Sequence, residues 1–285
     1  MLLAQFIAQG TSALQTLYPP QEARSMVLRL CEELLGVKSY THVIEPQTEV
    51  PPSEEPELLA ALDRLMKGEP LQYVLGYAWF CGRRFRVTSD VLIPRPETEI
   101  LATDALSFAL SKEGGARVLD LCTGSGCIAW TIALGAPSSD VVATDISETA
   151  LALARGQFPG PGPEFVLSDV LDTEQDFGRG MFDLVVSNPP YIRESERSGM
   201  RSNVLDYEPE LALFVPDSDP LVFYRAVSRW CARHLKPGGT GLVEINETLP
   251  DLTQDVIEAE GLTECRQIRD FCNKIRFISF TKPAF

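Results

Sequence analysis

"VLDLCTGSGCIA" occupies residues 118–129 and places an apolar strand, a glycine-rich loop and the start of a helix in immediate succession. Gly124 and Gly126 allow the backbone to turn sharply and to approach a ligand closely. The helix that follows offers N–H groups that have no partner within the helix. This order is typical of the ligand-binding loop after the first strand of a doubly wound α/β sheet.

Apolar strands alternate with helical stretches from about residue 97 onward, which predicts an α/β domain with a Rossmann-like sheet. Five segments have the composition of strands: "ARVLDLC", "DVVATDI", "PEFVLSDV", "FDLVVSN" and "GTGLVEIN". The final "ECRQIRDFCNKIRFISFTK" predicts two more strands, paired as a hairpin at the sheet edge. The sheet is therefore expected to have seven strands.

The first part of the chain has a different pattern. Apolar residues recur at helical spacing up to about residue 68, with glycines where helices would end and prolines where they would begin. Residues 71–94 then change to a period of two and gain aromatic side chains, which predicts a β-hairpin. We expect a helical domain at 1–70, a hairpin linker at 71–96 and the α/β domain at 97–285.

Composition and charge indicate the kind of partner and the compartment of the protein. The 285 residues carry 40 acidic and 25 basic side chains, for a formal charge of −15, and such a surface repels a phosphate backbone. Seven scattered cysteines without a Cys-x-x-Cys pair, and only two histidines, argue against disulfides and against a metal site. With no apolar run of about 20 residues and no basic leader, the sequence predicts a cytoplasmic protein without membrane or direct nucleic-acid partners.

The glycine loop alone leaves two cofactors open. Gly124, Gly126 and Ala129, with Asp145 ending the next strand, also satisfy the dinucleotide fingerprint of dehydrogenases. Asp120 favours S-adenosylmethionine, because a carboxylate there would repel a pyrophosphate but attract the ammonium group of the methionine part. Asp145 could accept the ribose hydroxyls, and Asp169 is placed to meet the adenine edge. Each aspartate could instead be a helix N-cap.

"FDLVVSNPPYIRE", residues 182–194, ends another apolar strand in a stiff segment. Two prolines could simply terminate the strand. Beside the glycine loop, however, the Asn188 side-chain oxygen and the Pro189 carbonyl could accept both protons of one NH2 group. Pro190 would keep the segment rigid, and Tyr191 would offer a flat face to the planar group carrying the nitrogen. This arrangement predicts methyl transfer to an amide or exocyclic amine.

Four motifs indicate which nitrogen group is methylated. They are residues 68–99, which end in "IPRPETE", and then "DLCTGSGCIA", "SNPPYI" and "YEPELALF". In this order they closely resemble the HemK/PrmC-type protein-(glutamine-N5) methyltransferases, which modify the glutamine of the Gly-Gly-Gln motif in class 1 peptide chain release factors. The resemblance is strong over about residues 65–245. The N-terminal residues resemble the family only in their helical pattern, without shared motifs.

The resemblance implies a class I S-adenosylmethionine-dependent methyltransferase fold whose N-terminal helices help to dock the release factor. It also implies S-adenosylhomocysteine as product and no need for a metal. The substrate glutamine would lie between Asn188, Pro189, Pro190 and Tyr191. The implied cofactor residues are Asp120, Cys122, Thr123, Gly124, Ser125, Gly126, Asp145, Asp169, Val170 and Asn188.

Some features depart from that family or stay open. Cys122 stands where many relatives have glycine, and "EINETLPDL" lacks the family's usual pattern, which leaves the roles of Asn246 and Thr248 undecided. Residues 94–99 are expected near the pocket, although a capped helix with a salt bridge would look similar. Residues 207–209 are expected to be loop architecture.

Three other functions remain as alternatives: a methyltransferase for a ribosomal-protein glutamine, an adenine amino-methyltransferase acting on DNA, and a binding module without turnover.

Overall fold

The computed structural model describes residues 1–175 and 180–284. Two compact units divide the chain: Met1–Tyr77 with Arg201–Tyr207, and Ala78–Met200 with Glu208–Phe285. The helices are α1 (Leu3–Leu14), α2 (Pro20–Leu35), α3 (Thr41–Ile44), α4 (Glu55–Met66), α5 (Leu71–Leu75), α6 (Thr98–Ser111), α7 (Cys127–Gly135), α8 (Glu148–Arg155), α9 (Ser202–Leu205), α10 (Val222–His234) and α11 (Pro250–Ala259). The strands are β1 (Tyr77–Phe80), β2 (Arg83–Arg86), β3 (Arg117–Leu121), β4 (Asp140–Asp145), β5 (Glu164–Leu167), β6 (Phe182–Ser187), β7 (Ile192–Arg193), β8 (Phe214–Val215), β9 (Leu235–Glu244), β10 (Thr263–Arg269) and β11 (Ile275–Thr281).

The first unit is helical, as the sequence predicts. One apolar face each of α1, α2 and α4 is buried in a common core that includes Phe6, Val27 and Leu58. The segment Arg201–Tyr207 belongs to this unit. Its Tyr207 hydroxyl donates to the carbonyl of Lys67 at 2.9 Å.

The hairpin is shorter than the sequence predicts. Residues Leu71–Leu75 form α5 rather than a strand, because Pro70 precedes its first turn and Gly76 ends it with a left-handed φ of 77°. The two short strands β1 and β2 follow, as a two-stranded sheet of their own. The compact units meet in the chain at Tyr77, whereas the domain limits drawn from the sequence at 70 and 96 stay a prediction.

The second unit contains the predicted Rossmann-like sheet. Its seven strands lie in the order β10-β11-β9-β6-β3-β4-β5. The five strands β9, β6, β3, β4 and β5 are parallel, and β11 pairs antiparallel with both β9 and β10. The terminal hairpin is therefore confirmed at the sheet edge. Successive side chains alternate between two cores, so Val118 packs with α6 and α7 while Leu119 packs with α10.

The topological switch point positions the candidate site. After β3 the chain builds outward through β4 and β5, then returns to place β6 on the other side of β3. Leu121, the last residue of β3, is paired with Ser187, the last residue of β6. The glycine loop and the segment at Asn188 consequently leave the sheet side by side, where doubly wound folds bind ligands.

Candidate active site

A cleft of about 1180 Å³, its open mouth included, lies beyond the carboxyl ends of the parallel strands. Most of the sequence-predicted site residues form its wall. They are Cys122, Thr123, Gly124, Ser125, Asp145, Asp169, Val170, Asn188 and Pro190. Four other predicted residues are not part of that wall: Asp120, Gly126, Pro189 and Tyr191.

The glycine loop is shaped by backbone hydrogen bonds to a carboxylate. The Gly124 N–H donates to Asp145 Oδ2 at 2.8 Å, and the Ser147 N–H donates to Asp145 Oδ1 at 3.0 Å. Gly124 and Gly126 have φ values of 55° and 78°, a region that favours glycine. Helix α7 begins directly after them, at Cys127. Burial raises the pKa of Asp145, and the backbone N–H donors oppose that shift.

Asp120 lies beneath this loop. Its side chain is fully buried, and its Oδ2 accepts a hydrogen bond from the Thr123 hydroxyl at 2.6 Å. Its Oδ1 is buried, and no donor among the described residues forms a well-aligned hydrogen bond with it. Burial raises the pKa of Asp120 to about 7, while the Thr123 hydroxyl and the nearby Ala129 backbone N–H act in the opposite direction. A buried carboxylate oxygen without a donor is costly unless a cation or donor can reach it.

Cys122 adopts a left-handed backbone with a φ of 61°. A side chain at such a φ costs roughly 1–2 kcal/mol, so this position favours glycine. Burial raises the pKa of the Cys122 thiol well above its usual range, with the charges of Asp145 and Asp120 acting in the same direction. The thiol is therefore neutral and serves as a small part of the wall.

Substitution of Cys122 should show this backbone constraint. Cys122→Gly should change the free energy of unfolding by less than about 1 kcal/mol, because relief of strain offsets the extra freedom of the unfolded chain. Cys122→Val should lower it by about 2 kcal/mol, since β-branched residues tolerate this region poorly. Urea denaturation measures both. Cys265→Val, at a half-buried cysteine in β10, is the matched control. Equal effects at the two sites would contradict the explanation.

Asn188 is anchored through its amide nitrogen. Asn188 Nδ2 donates to Thr98 Oγ1 at 3.3 Å, and the Thr98 hydroxyl donates to Glu244 Oε2 at 2.7 Å. The Tyr191 hydroxyl donates to the other oxygen, Glu244 Oε1, at 3.0 Å. Thr98 begins α6, and Glu244 ends β9; both are buried. The Tyr191 hydroxyl is thus bonded to strand β9. The contact between the Tyr191 ring and the substrate stays a prediction.

Asn246, whose role the sequence leaves undecided, supports the same segment. Its Nδ2 donates to the Tyr191 carbonyl and to Glu196 Oε2, both at 3.1 Å. Its Oδ1 accepts from the N–H and the hydroxyl of Thr248, at 2.9 and 2.7 Å. Both residues therefore brace the segment that follows Asn188.

An ion pair with a buried carboxylate forms another part of the cleft. Arg95 Nη2 lies 2.8 Å from Glu208 Oε1, and the Ile93 N–H donates to Glu208 Oε2 at 3.1 Å. The Glu208 side chain is 1% exposed, and Arg95 and Pro209 line the cleft. The residues at 94–99 thus reach the cleft as expected, and Glu208 acts in the loop architecture expected of residues 207–209.

Sequence reasoning missed Thr98 and Glu244 as individual site residues. The signal for Glu244 was present, because it is a polar residue at the end of an apolar strand, like Asp120, Asp145 and Asn188. Thr98 lies within the "PRPETE" string, but no local pattern shows that its hydroxyl meets β9.

Within 1–175 and 180–284, no group of three or more His, Cys, Asp or Glu side chains is arranged to hold a metal ion. No helix in these ranges combines the length and the apolarity needed to cross a bilayer.

Two family patterns match the chain. Residues 5–76 match the PrmC N-terminal domain, and residues 100–205 match the Methyltransferase small domain. These matches cover the helical start and the first part of the Rossmann-like sheet, which confirms the predicted class of fold.

Curated relatives match over nearly the whole chain. The release factor glutamine methyltransferase of Bacteroides thetaiotaomicron is 41% identical over 94% of this chain and 95% of its own. The proteins of the same name from Flavobacterium psychrophilum and Koribacter versatilis are 34% and 36% identical, over 98% and 100% of both chains. A solved structure, the release factor-specific protein-(glutamine-N5) methyltransferase of Alicyclobacillus acidocaldarius, is 28% identical over 70% of this chain and 99% of that chain, with a TM-score of 0.42.

The identity and coverage of the curated relatives agree with the sequence motifs and with the fold. This chain belongs to the family of release factor glutamine methyltransferases, and it is an S-adenosylmethionine-dependent protein methyltransferase.

Proposed function

We propose that this chain methylates the side-chain amide nitrogen of the glutamine in the Gly-Gly-Gln motif of class 1 peptide chain release factors. One observation carries the proposal: the glycine loop and Asn188 line the same cleft. A methyl donor held by the loop and an amide held at Asn188 would therefore meet in one space.

The cleft fits S-adenosylmethionine. A methyl group added at Gly124 would meet no protein atom within 4 Å, so the loop leaves room for a ligand against its backbone. The negative charge of Asp120 beneath the loop suits the ammonium group, and the carboxylate of Asp145 in the cleft wall suits the ribose hydroxyls. Residues 122–126, Asp169 and Val170 would complete the holding set. When bound, S-adenosylmethionine supplies the methyl group at an electrophilic sulfonium centre.

Asn188 and Pro189 would prepare the substrate amide. A carboxamide nitrogen is a poor nucleophile because its lone pair is delocalised into the carbonyl group. The Asn188 side-chain oxygen would accept one of its two N–H protons, and the Pro189 carbonyl would accept the other. This holds the nitrogen in one orientation, and such positioning contributes several kcal/mol to catalysis.

A protein substrate also suits the charge of the chain. At −15 the protein repels nucleic-acid phosphates, so we propose a release factor as the direct partner and no direct nucleic-acid substrate.

Transfer of label from S-adenosylmethionine tests the proposed substrate. We expect label in a class 1 release factor and none in its Gly-Gly-Gln to Gly-Gly-Ala variant, in ribosomal proteins or in duplex DNA. Label that persists in the Gly-Gly-Ala variant would exclude the motif glutamine as acceptor. Label found only in DNA or in a ribosomal protein would support those alternative functions instead.

A further inference from the structure

A hydrogen-bonded chain runs behind Asn188 to a fully buried carboxylate. It consists of the Asn188 amide, the Thr98 hydroxyl and Glu244, joined at 3.3 and 2.7 Å. Thr98 and Glu244 are 2% and 1% exposed. The direction of each hydrogen bond in this chain is set by the number of protons that each group carries.

The Thr98 hydroxyl has one proton, and an ionised carboxylate has none to give. Thr98 therefore donates to Glu244, and its oxygen accepts from Asn188. Tyr191 donates to the second oxygen of Glu244, so both carboxylate oxygens act as acceptors. This leaves the Asn188 NH2 group turned towards Thr98 and the Asn188 oxygen turned away from it.

We infer that Thr98 and Glu244 are positioning residues that fix the Asn188 amide with its oxygen available to the substrate. The inference rests on the proposed role of Asn188 as an acceptor. If residue 244 could donate to Thr98, the Thr98 proton would become free to bond the Asn188 oxygen. The amide would then turn over and present a donor to the substrate NH2 group, where an acceptor is required.

Protonation of Glu244 would have this same effect. Burial raises the pKa of Glu244 to about 7, although its two hydrogen bonds and Arg276 act in the opposite direction. The acceptor form exists above that pKa and is lost as the pH falls through it. The ionisable groups that face Glu244 come from the residue before α6, the loop after β6, α10 and β11: Glu97, Tyr191, Tyr224 and Arg276.

Near-isosteric variants test the inference. Glu244→Gln and Thr98→Val should each lower kcat for release factor methylation about tenfold, because each removes the control of amide orientation. Thr98→Ser, which keeps the hydroxyl, should stay within about threefold of the wild type. The dissociation constant for S-adenosylmethionine should change little. Thr98→Val should lower the melting temperature, because the buried Glu244 Oε2 loses its donor, whereas Thr98→Ser should not. Thr103→Val is the matched control, since Thr103 is an exposed threonine on the same helix.

The pH profile adds a readout that a merely structural role would not move. Wild-type kcat should fall as the pH decreases through about 7, and this acid limb should be missing in Glu244→Gln. A Thr98→Val variant as active as Thr103→Val, or a pH profile of Glu244→Gln identical in shape to that of the wild type, would overturn the inference. If Asn188→Ala were inactive in that case, the proposed function would still stand. If Asn188→Ala kept full activity, the proposed function would fail first.

Discussion

Asn188→Ala should lower kcat for release factor methylation by about 10²- to 10³-fold, because the substrate amide loses one of its two fixed acceptors. The affinity for S-adenosylmethionine should stay within about threefold, since the glycine loop and the carboxylates remain. Single-turnover methylation at saturating cofactor measures the first quantity, and isothermal titration calorimetry measures the second.

Asn203→Ala is a suitable control for this experiment, because Asn203 is another partly exposed asparagine and does not line the cleft. It should keep wild-type turnover. A parallel loss of turnover and cofactor affinity in Asn188→Ala would assign Asn188 to the cofactor pocket and would contradict its proposed role as the substrate's acceptor.

Gly124→Ala should weaken S-adenosylmethionine binding about 30-fold. The added methyl group meets no protein atom, so it occupies space in the cleft that the ligand would otherwise fill. Overpacking of this kind costs about 2 kcal/mol, and 1.4 kcal/mol corresponds to a factor of ten in affinity. Calorimetric titration of the cofactor gives the measurement, and the free energy of unfolding should fall by only about 1 kcal/mol.

Gly126→Ala supplies the matched comparison. Its methyl group would lie 3.1 Å from both Ala154 Cβ and Trp130 Cδ1, so it meets protein rather than open space. We expect the larger loss of unfolding free energy at Gly126 and the larger loss of cofactor affinity at Gly124. The reverse order would show that Gly124 does not face the bound cofactor.

Sequence patterns predict the sheet well, because strands buried on both faces must be apolar. They also predict part of the candidate site, because a glycine loop and carboxylates at strand ends are groups that a bound ligand requires. They also predict which loops meet, since Leu121 and Ser187 end neighbouring strands at one edge. They do not predict α5. The alternating pattern of its five residues suggests a strand, but Pro70 and Gly76 cap a short helix there instead. They also cannot show that the Tyr191 hydroxyl is bonded to Glu244, because that depends on a partner distant in sequence.

The segment Arg201–Tyr207 leaves the catalytic unit, packs as part of the helical unit, and returns at Glu208. Its Arg201 is paired with Glu22, and its Tyr207 is bonded to Lys67. No single cut of the chain can therefore separate the two units. Deleting residues 1–77 would remove the packing partners of Arg201–Tyr207. This segment directly precedes Glu208, whose carboxylate holds Arg95. The chain consequently passes between the two units three times, so neither unit can be produced as one uninterrupted stretch of this sequence.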